Sequence, residues 1–352
     1  MRKASISISG LNRAAVRVSH LSGAALRLFV LLFSIPQAFP CAQERAAPPN
    51  EPIRVRVDRV NVGVIVTDAR GNFAEGLRRE DFHVFDDGVE QPLTDFAAIE
   101  EPAQVLLLVE AGPAVYFLEA SHLQAAHALL DGLSAGDRVA VVKYDERPQP
   151  LLDFTADKQA AEAALANVRF NLGFGTLNLS RSLATVLDWL ARTQGKKTIV
   201  LLSTGVDTSM EGDFGAILER LKTNDVRLLA VSLSGELRSP PPSGKNKRKV
   251  PFEKSVAAEK GFAEADHLLM VMTETTGGRT YFPNDAKSFA AAYAEIARIV
   301  RHEYSLAFAP PAHDGKIHAI EVRVSATPSA PPTTAPPTYR VDYRRAYLAP
   351  AL

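Results

Sequence analysis

Apolar residues fall along this chain in two rhythms. In the first, Val55, Val57, Val60, Val62, Val64 and Val66 are interleaved with Arg, Asp, Asn and Gly. A period of two with one shift of register predicts a half-buried strand carrying a bulge. Asp68-Ala69-Arg70-Gly71-Asn72 then reads as a turn. Phe82, Val84 and Phe85 open a second strand, Asp87-Gly88 supplies a tight hairpin turn, and Val89 to Phe96 returns.

From Val105 the rhythm changes. Val105-Leu106-Leu107-Leu108-Val109 is apolar without a break and ends on Glu110, ahead of the small-residue turn Ala111-Gly112-Pro113-Ala114. That run predicts a strand buried on both faces of a parallel sheet, with Glu110 at the carboxyl end where ligands bind in such sheets. Helical spacing runs from Phe117 to Leu133, then strands come at Arg138 to Tyr144 and Pro148 to Phe154. Further helices are expected at Asp157 to Val168, Leu179 to Thr193, Asp213 to Asn224, Glu264 to Thr275 and Lys287 to Arg301. Between and after them come strands at Lys197 to Ser203, Val226 to Leu233, Thr280 to Phe282, Tyr304 to Phe308, Ile317 to Val324 and Tyr339 to Tyr343. Strands separated by helices predict an α/β fold, a doubly wound and mostly parallel sheet flanked by helices. The N- and C-terminal strands are expected to join as one small β accessory sheet.

These elements set the boundaries. Residues 1–42 read as a signal peptide, 43–53 as a linker, 54–100 as an N-terminal β unit, 101–302 as the α/β domain and 303–348 as C-terminal strands. Residues 237–260 break the alternation with Pro240-Pro241-Pro242 and the basic run Lys245-Asn246-Lys247-Arg248-Lys249, and read as a flexible, solvated insertion.

Composition narrows the picture only at its edges. At 352 residues and 46% hydrophobic content the chain is long and apolar enough for a sizeable core. Lys+Arg and Asp+Glu both number 40, which gives no global charge for nucleic acid or an anionic membrane. Cys41 is the single cysteine, so neither an intrachain disulfide nor a cysteine-based zinc site is available. Arg2, Lys3, Arg13, Arg17 and Arg27 precede the apolar Leu28 to Ile35, the layout of an export signal with a core too short to span a bilayer. The mature protein is therefore expected to be periplasmic or extracellular, without a membrane span. A lipoprotein on Cys41 and an uncleaved anchor stand as alternatives.

Catalytic patterns are weak throughout. Ser203 has Gly205 after it but Leu201 where a nucleophile elbow needs its first Gly. His122 and His127 lie five apart and do not share a helix face. Gly173-Phe174-Gly175 lacks the third Gly and the Lys of a phosphate loop. Asp86-Asp87-Gly88 does not lead into a twelve-residue calcium loop, and a hairpin turn accounts for it. Trp189, at helical spacing with Val186, reads as core.

Taken in order, several segments resemble the von Willebrand factor type A family, and its exported acidobacterial branch in particular. They are Val64-Ile65-Val66-Thr67-Asp68 with Gly71, Asp81-Phe82-His83-Val84-Phe85-Asp86-Asp87-Gly88, Gly175-Thr176, Leu201 to Asp207, Thr275-Thr276-Gly277-Gly278-Arg279, Tyr304-Ser305-Leu306, Asp314-Gly315-Lys316 and Arg345-Ala346-Tyr347. The resemblance implies a metal-ion-dependent adhesion site, in which an Asp-x-Ser-x-Ser loop, a Thr and a further Asp hold Mg²⁺. On this sequence those positions carry Glu110, Gly112, Ala114, Thr176 and Thr204, with Asp207 three residues further on. Only Thr176 is the family's own residue type, and one carboxylate with two hydroxyls is a poor trap for Mg²⁺. The expectation is a protein-interaction module with a degenerate, metal-free site, no cofactor, no catalytic residue and a protein partner. The alternatives are a weak Mg²⁺-dependent adhesion domain and, from another class, a hydrolase-like enzyme.

Overall fold

Alternation shapes β1 (Val60–Thr67) as expected, since Val60, Val62, Val64 and Val66 are all buried on one side. Ile65, on the opposite side, is buried as well, in a different apolar cluster. The computed structural model describes residues 59–99, 102–112, 115, 127–170, 176–209, 212–238, 256–325 and 338–351. The expected signal peptide and linker, Ala114, His122, the 173–175 glycine loop and the basic run at 245–249 lie outside these residues. The ladders of β1 run without a register shift, so the bulge expected there is not found in its described part.

After β2 (Phe82–Asp86), Asp87 and Gly88 adopt φ of 46° and 82°, the positive values a two-residue hairpin turn requires. The return strand is not continuous. β3 (Val89–Gln91) pairs with β2, whereas β4 (Leu93–Ile99) belongs to another sheet. The break is at Pro92, which has no N–H to give to a ladder.

β5 (Ala103–Glu110) is the centre of the molecule, buried from Val105 through Glu110. Next along the chain are β6 (Arg138–Tyr144), β7 (Pro148–Thr155), α1 (Lys158–Ala166), α2 (Leu179–Leu190), β8 (Lys196–Ser203), α3 (Phe214–Thr223) and β9 (Val226–Ser232). The α/β run closes with α4 (Ser234–Arg238), α5 (Val256–Thr275), β10 (Thr280–Tyr281) and α6 (Ala286–Arg301). The sheet order is β10-β9-β8-β5-β6-β7, parallel except for β7 against β6. Val105, Leu107 and Val109 face α6, α1 and the helical residues 127–132. Leu106 and Leu108 face α2, α3 and α5. A sheet covered on both sides explains the unbroken apolar runs, and each fully buried leucine contributes about 2 kcal/mol.

The helices start where side-chain oxygens can cap them. Asp157, Asn178, Asp213 and Asp285 accept from the N–H groups of Ala160, Arg181, Ala216 and Ser288. α5 starts at Val256 and α4 occupies Ser234–Arg238, so the segment read as a flexible insertion is helical at both of its described ends. Trp189 packs on Phe154 with ring centroids 5.5 Å apart, in keeping with a core role.

The accessory strands form two sheets rather than one. With β11 (Glu303–Phe308), β12 (Ile317–Val324), β13 (Arg340–Tyr343) and β14 (Ala346–Leu348), the orders are β13-β1-β11-β4 and β14-β12-β2-β3. Their apolar faces share a single cluster that includes Val62, Val84, Leu306, Phe308 and Val322. Buried Arg279 ties this layer to the main domain, reaching Asp342 at 2.8 Å, Glu295 at 2.7 Å and Thr67 at 3.0 Å.

Candidate functional site

The strand order changes direction between β5 and β8: the chain proceeds from β5 outward to β7, then returns to the other side of β5. The carboxyl ends at such a reversal are where an α/β sheet offers a crevice. Register places one polar side chain on each of four neighbouring strands there. Tyr144 is opposite Glu110, Ser203 comes after the Val109–Leu202 pair, and Ser232 is opposite Ser203. All four are fully buried.

Glu110 is the hub. Its Oε2 accepts from the Thr204 N–H at 2.7 Å, the Ser203 hydroxyl at 2.9 Å, the Thr204 hydroxyl at 2.9 Å and the Tyr144 hydroxyl at 3.2 Å. Its Oε1 lies 3.1 Å from the same Thr204 hydroxyl. The Tyr144 and Ser203 hydroxyls are also 2.6 Å apart, so one of their two hydrogens is shared between this contact and Glu110, and the Gly205 N–H donates to Ser203 Oγ at 2.8 Å. Burial pushes the Glu110 carboxyl above its ordinary range, and these four donor groups pull against that shift. Burial beside Glu110 likewise pushes the Tyr144 phenol well up.

Beyond this hub, residues 177–180 and 207–209 are bonded to one another. Leu177 accepts from the N–H groups of Thr208 and Ser209, and its own N–H donates to the Thr208 hydroxyl at 2.7 Å. Asp207 accepts from the Ser180 N–H at 3.1 Å, in the first turn of α2, and from the N–H and hydroxyl of Ser209. A β-carbon on Gly112 would sit 2.8 Å from a Leu177 methyl, so Leu177 occupies the space a serine side chain would need there.

The positions singled out in the sequence therefore divide. Glu110 and Thr204 meet directly, and Gly112 is buried beside Leu177. Thr176 is exposed, and Asp207, half-exposed, braces the loop. Tyr144, Leu177 and the bonding role of Ser203 were missed. Tyr144 and Ser203 end apolar strand runs, the one signal the sequence held for them.

Mg²⁺ takes about six oxygen ligands in near-octahedral geometry, some of them waters and one or two of them carboxylates free to coordinate. Gly112 and Ala114 have no side-chain oxygen. The single Thr204 hydroxyl hydrogen is shared between the two oxygens of Glu110, and Oε2 accepts from further protein donors. The donor set does not fit the ion. Among the described residues, neither His nor Asp is hydrogen-bonded to Glu110.

A second polar cluster lies on the accessory layer, where Asp86, Asp87 and His318 bring ligand atoms within 4.8 Å of one another. His318 Nδ1 is 2.8 Å from Asp86 and Nε2 is 3.3 Å from Asp314, while Tyr347 donates to Asp86 at 2.5 Å. The Asp86-Asp87 pair is thus held by a histidine more than two hundred residues away, a partnership no local motif announces.

Residues 119–206 match the family model described as von Willebrand factor type A domain. No curated protein matches the chain by sequence. Among solved structures, an aerotolerance-related membrane protein from Bacteroides fragilis is similar over 57% of this chain and 98% of its own, at 13% identity and a TM-score of 0.42. A von Willebrand factor type A protein from Catenulispora acidiphila is similar over 76% and 74%, at 12% identity and a TM-score of 0.41. The ArnB paralog VWA2 from Sulfolobus acidocaldarius is similar over 82% and 71%, at 12% identity and a TM-score of 0.38.

Proposed function

We propose that this chain, which carries a von Willebrand factor type A domain, is an exported, non-enzymatic protein-interaction module that binds its partner without a metal ion. One observation carries the reading. The Glu110 carboxylate, at the position of the family's leading metal ligand, is fully buried and accepts hydrogen bonds from Thr204, Ser203 and Tyr144. Its stem, one methylene longer than an aspartate's, lets it touch Thr204 directly, where in the family an ion would bridge the two positions.

A partner then meets the rim beyond the hub, where Thr176 and Thr208 are exposed and Asp207 is half-exposed. Hydroxyls enclosed with their carboxylate give a substrate nothing to approach, which favours binding over catalysis. Export rests on the basic and apolar pattern of residues 1–42.

Calorimetry on the purified protein is expected to show no binding of Mg²⁺, Mn²⁺ or Ca²⁺ up to roughly millimolar concentration. Pull-downs from periplasm or culture medium are expected to retain the same partner with and without chelator. Release of the partner by chelator would overturn the metal-free reading.

A further inference from the structure

At the opposite end of the main sheet, roughly 23 Å along β8 from Ser203, the strand starts meet the accessory layer around a second cavity. It has a volume of about 380 Å³, near the lower end for small-molecule sites. Its walls come from β1, β4, β8, β9 and β11, with Arg344 from the turn between β13 and β14.

Charge in this cavity is unbalanced. Arg59, Lys196, Lys197, Arg227 and Arg344 face Asp95, Asp225 and Glu303, a surplus of two positive charges. Most of the cations are paired. Arg59 bonds Asp95 at 2.9 Å and Lys197 bonds Asp225 at 2.9 Å. Glu303 is shared, with Lys196 at 2.9 Å and Arg227 at 3.4 Å. Burial alone would raise the Glu303 pKa, but the two cations outweigh it and hold the carboxyl below its ordinary range. Gly63 makes room for this arrangement, because a β-carbon there would overlap the Glu303 carboxylate.

Among the described residues, three polar groups in the wall lack a hydrogen-bond partner: Lys196 Nζ, which keeps Glu303 as its counter-charge at 2.9 Å, and two more. The Oγ of Thr198, a fully buried residue, has no hydrogen-bond partner among the described residues, and neither has the enclosed Nε of Arg344. Buried polar atoms are almost always satisfied, so two unsatisfied atoms on residues that line one cavity are unusual, although both atoms are sealed from it as the side chains stand. Burial pushes the Arg344 guanidinium below its ordinary pKa, and the nearby charge of Asp225 only partly offsets it. A guanidinium is also the side chain best shaped to grip a carboxylate or phosphate with two bonds.

We propose that this cavity is a binding site for a small molecule bearing two or more anionic groups, held by the Arg344 guanidinium and the surplus charge of the surrounding cations. The size of the cavity suits a diphosphate or a tricarboxylate. Because its walls come from both layers, the ligand clamps the β13-β1-β11-β4 sheet to the main sheet. The site lies away from the Glu110 hub and does not depend on how that hub is read.

The test is calorimetry and thermal melting of the purified protein with pyrophosphate and, separately, with citrate, at fixed ionic strength in sodium chloride. One of the two is expected to bind saturably near one per chain and to raise the melting temperature. The tighter of the two identifies phosphate or carboxylate chemistry, and either supports the site. Arg344→Gln is expected to weaken binding at least about tenfold while melting close to the parent without ligand, since it removes a charge whose burial is only partly offset by Asp225. Arg59→Gln, at a half-exposed position with little part in packing, is expected to weaken binding several-fold and serves if the first variant does not fold. Heat without saturation up to roughly 10 mM, or unchanged affinity in the folded Arg344→Gln or Arg59→Gln protein, would overturn the proposal.

Discussion

Glu110 is tested by separating its shape from its charge. Glu110→Ala leaves the Thr204 N–H and three hydroxyls facing a void and is expected to cost about 3 kcal/mol in urea denaturation. Glu110→Gln keeps the volume and an acceptor oxygen, and is expected to stay within about 1 kcal/mol of the parent near neutral pH. Burial raises the folded-state pKa of this carboxyl above its ordinary 4.5. Its contribution is therefore fully present below the unfolded pKa and is lost as pH rises through the folded one. The parent should accordingly lose ground to Glu110→Gln as pH increases, which paired melting curves would show. The residue itself was legible from sequence, since it ends an apolar run at a turn. Its partners were not: Tyr144 and Ser203 become neighbours of Glu110 only through strand register, a property of the assembled sheet.

Elements were readable where local chemistry decides them. Helix starts coincide with Asp157, Asn178, Asp213 and Asp285, whose side chains cap the first turns. Errors arose where one residue outranks a pattern, as at Pro92, which divides an apparently continuous return strand between two sheets. The contact between the β2–β3 turn and β12 is pH-sensitive through His318. Its hydrogen bond to Asp86, with further help from Asp314 and the charge of Asp87, raises its pKa above 6.5 despite partial desolvation. A raised histidine stabilises fully below the unfolded pKa and loses that contribution as pH climbs through the folded value. The urea midpoint of His318→Gln should lie furthest below the parent near pH 5 and converge with it by about pH 9. A gap independent of pH would assign the histidine to packing alone.

Across the whole molecule, the accessory layer belongs to both ends of the chain at once. β11 lies between β1 and β4, β12 lies beside β2, and Glu303 pairs with Lys196 and Arg227 of the main sheet. Removing everything from Glu303 onward is expected to give protein that is insoluble or melts without a cooperative transition. A sharp melt from that truncated chain would show the α/β domain to be independent. Alternation in sequence announces strands but is silent on which strands pair, so one accessory sheet was expected where two exist. The parallel sheet was clearer, because burial on both faces leaves a mark in each strand separately.

The pairing of β1 with β11 joins Val60 to Phe308, residues about 250 positions apart. A chain made from its N-terminus therefore completes a valine-rich strand long before that partner exists. Contacts of such span close slowly, and an unpaired strand of this kind readily joins a copy of itself. Until β11 arrives, solubility depends on whatever keeps neighbouring nascent chains apart, and a holding chaperone that covers β1 should raise the folded yield more than one acting later.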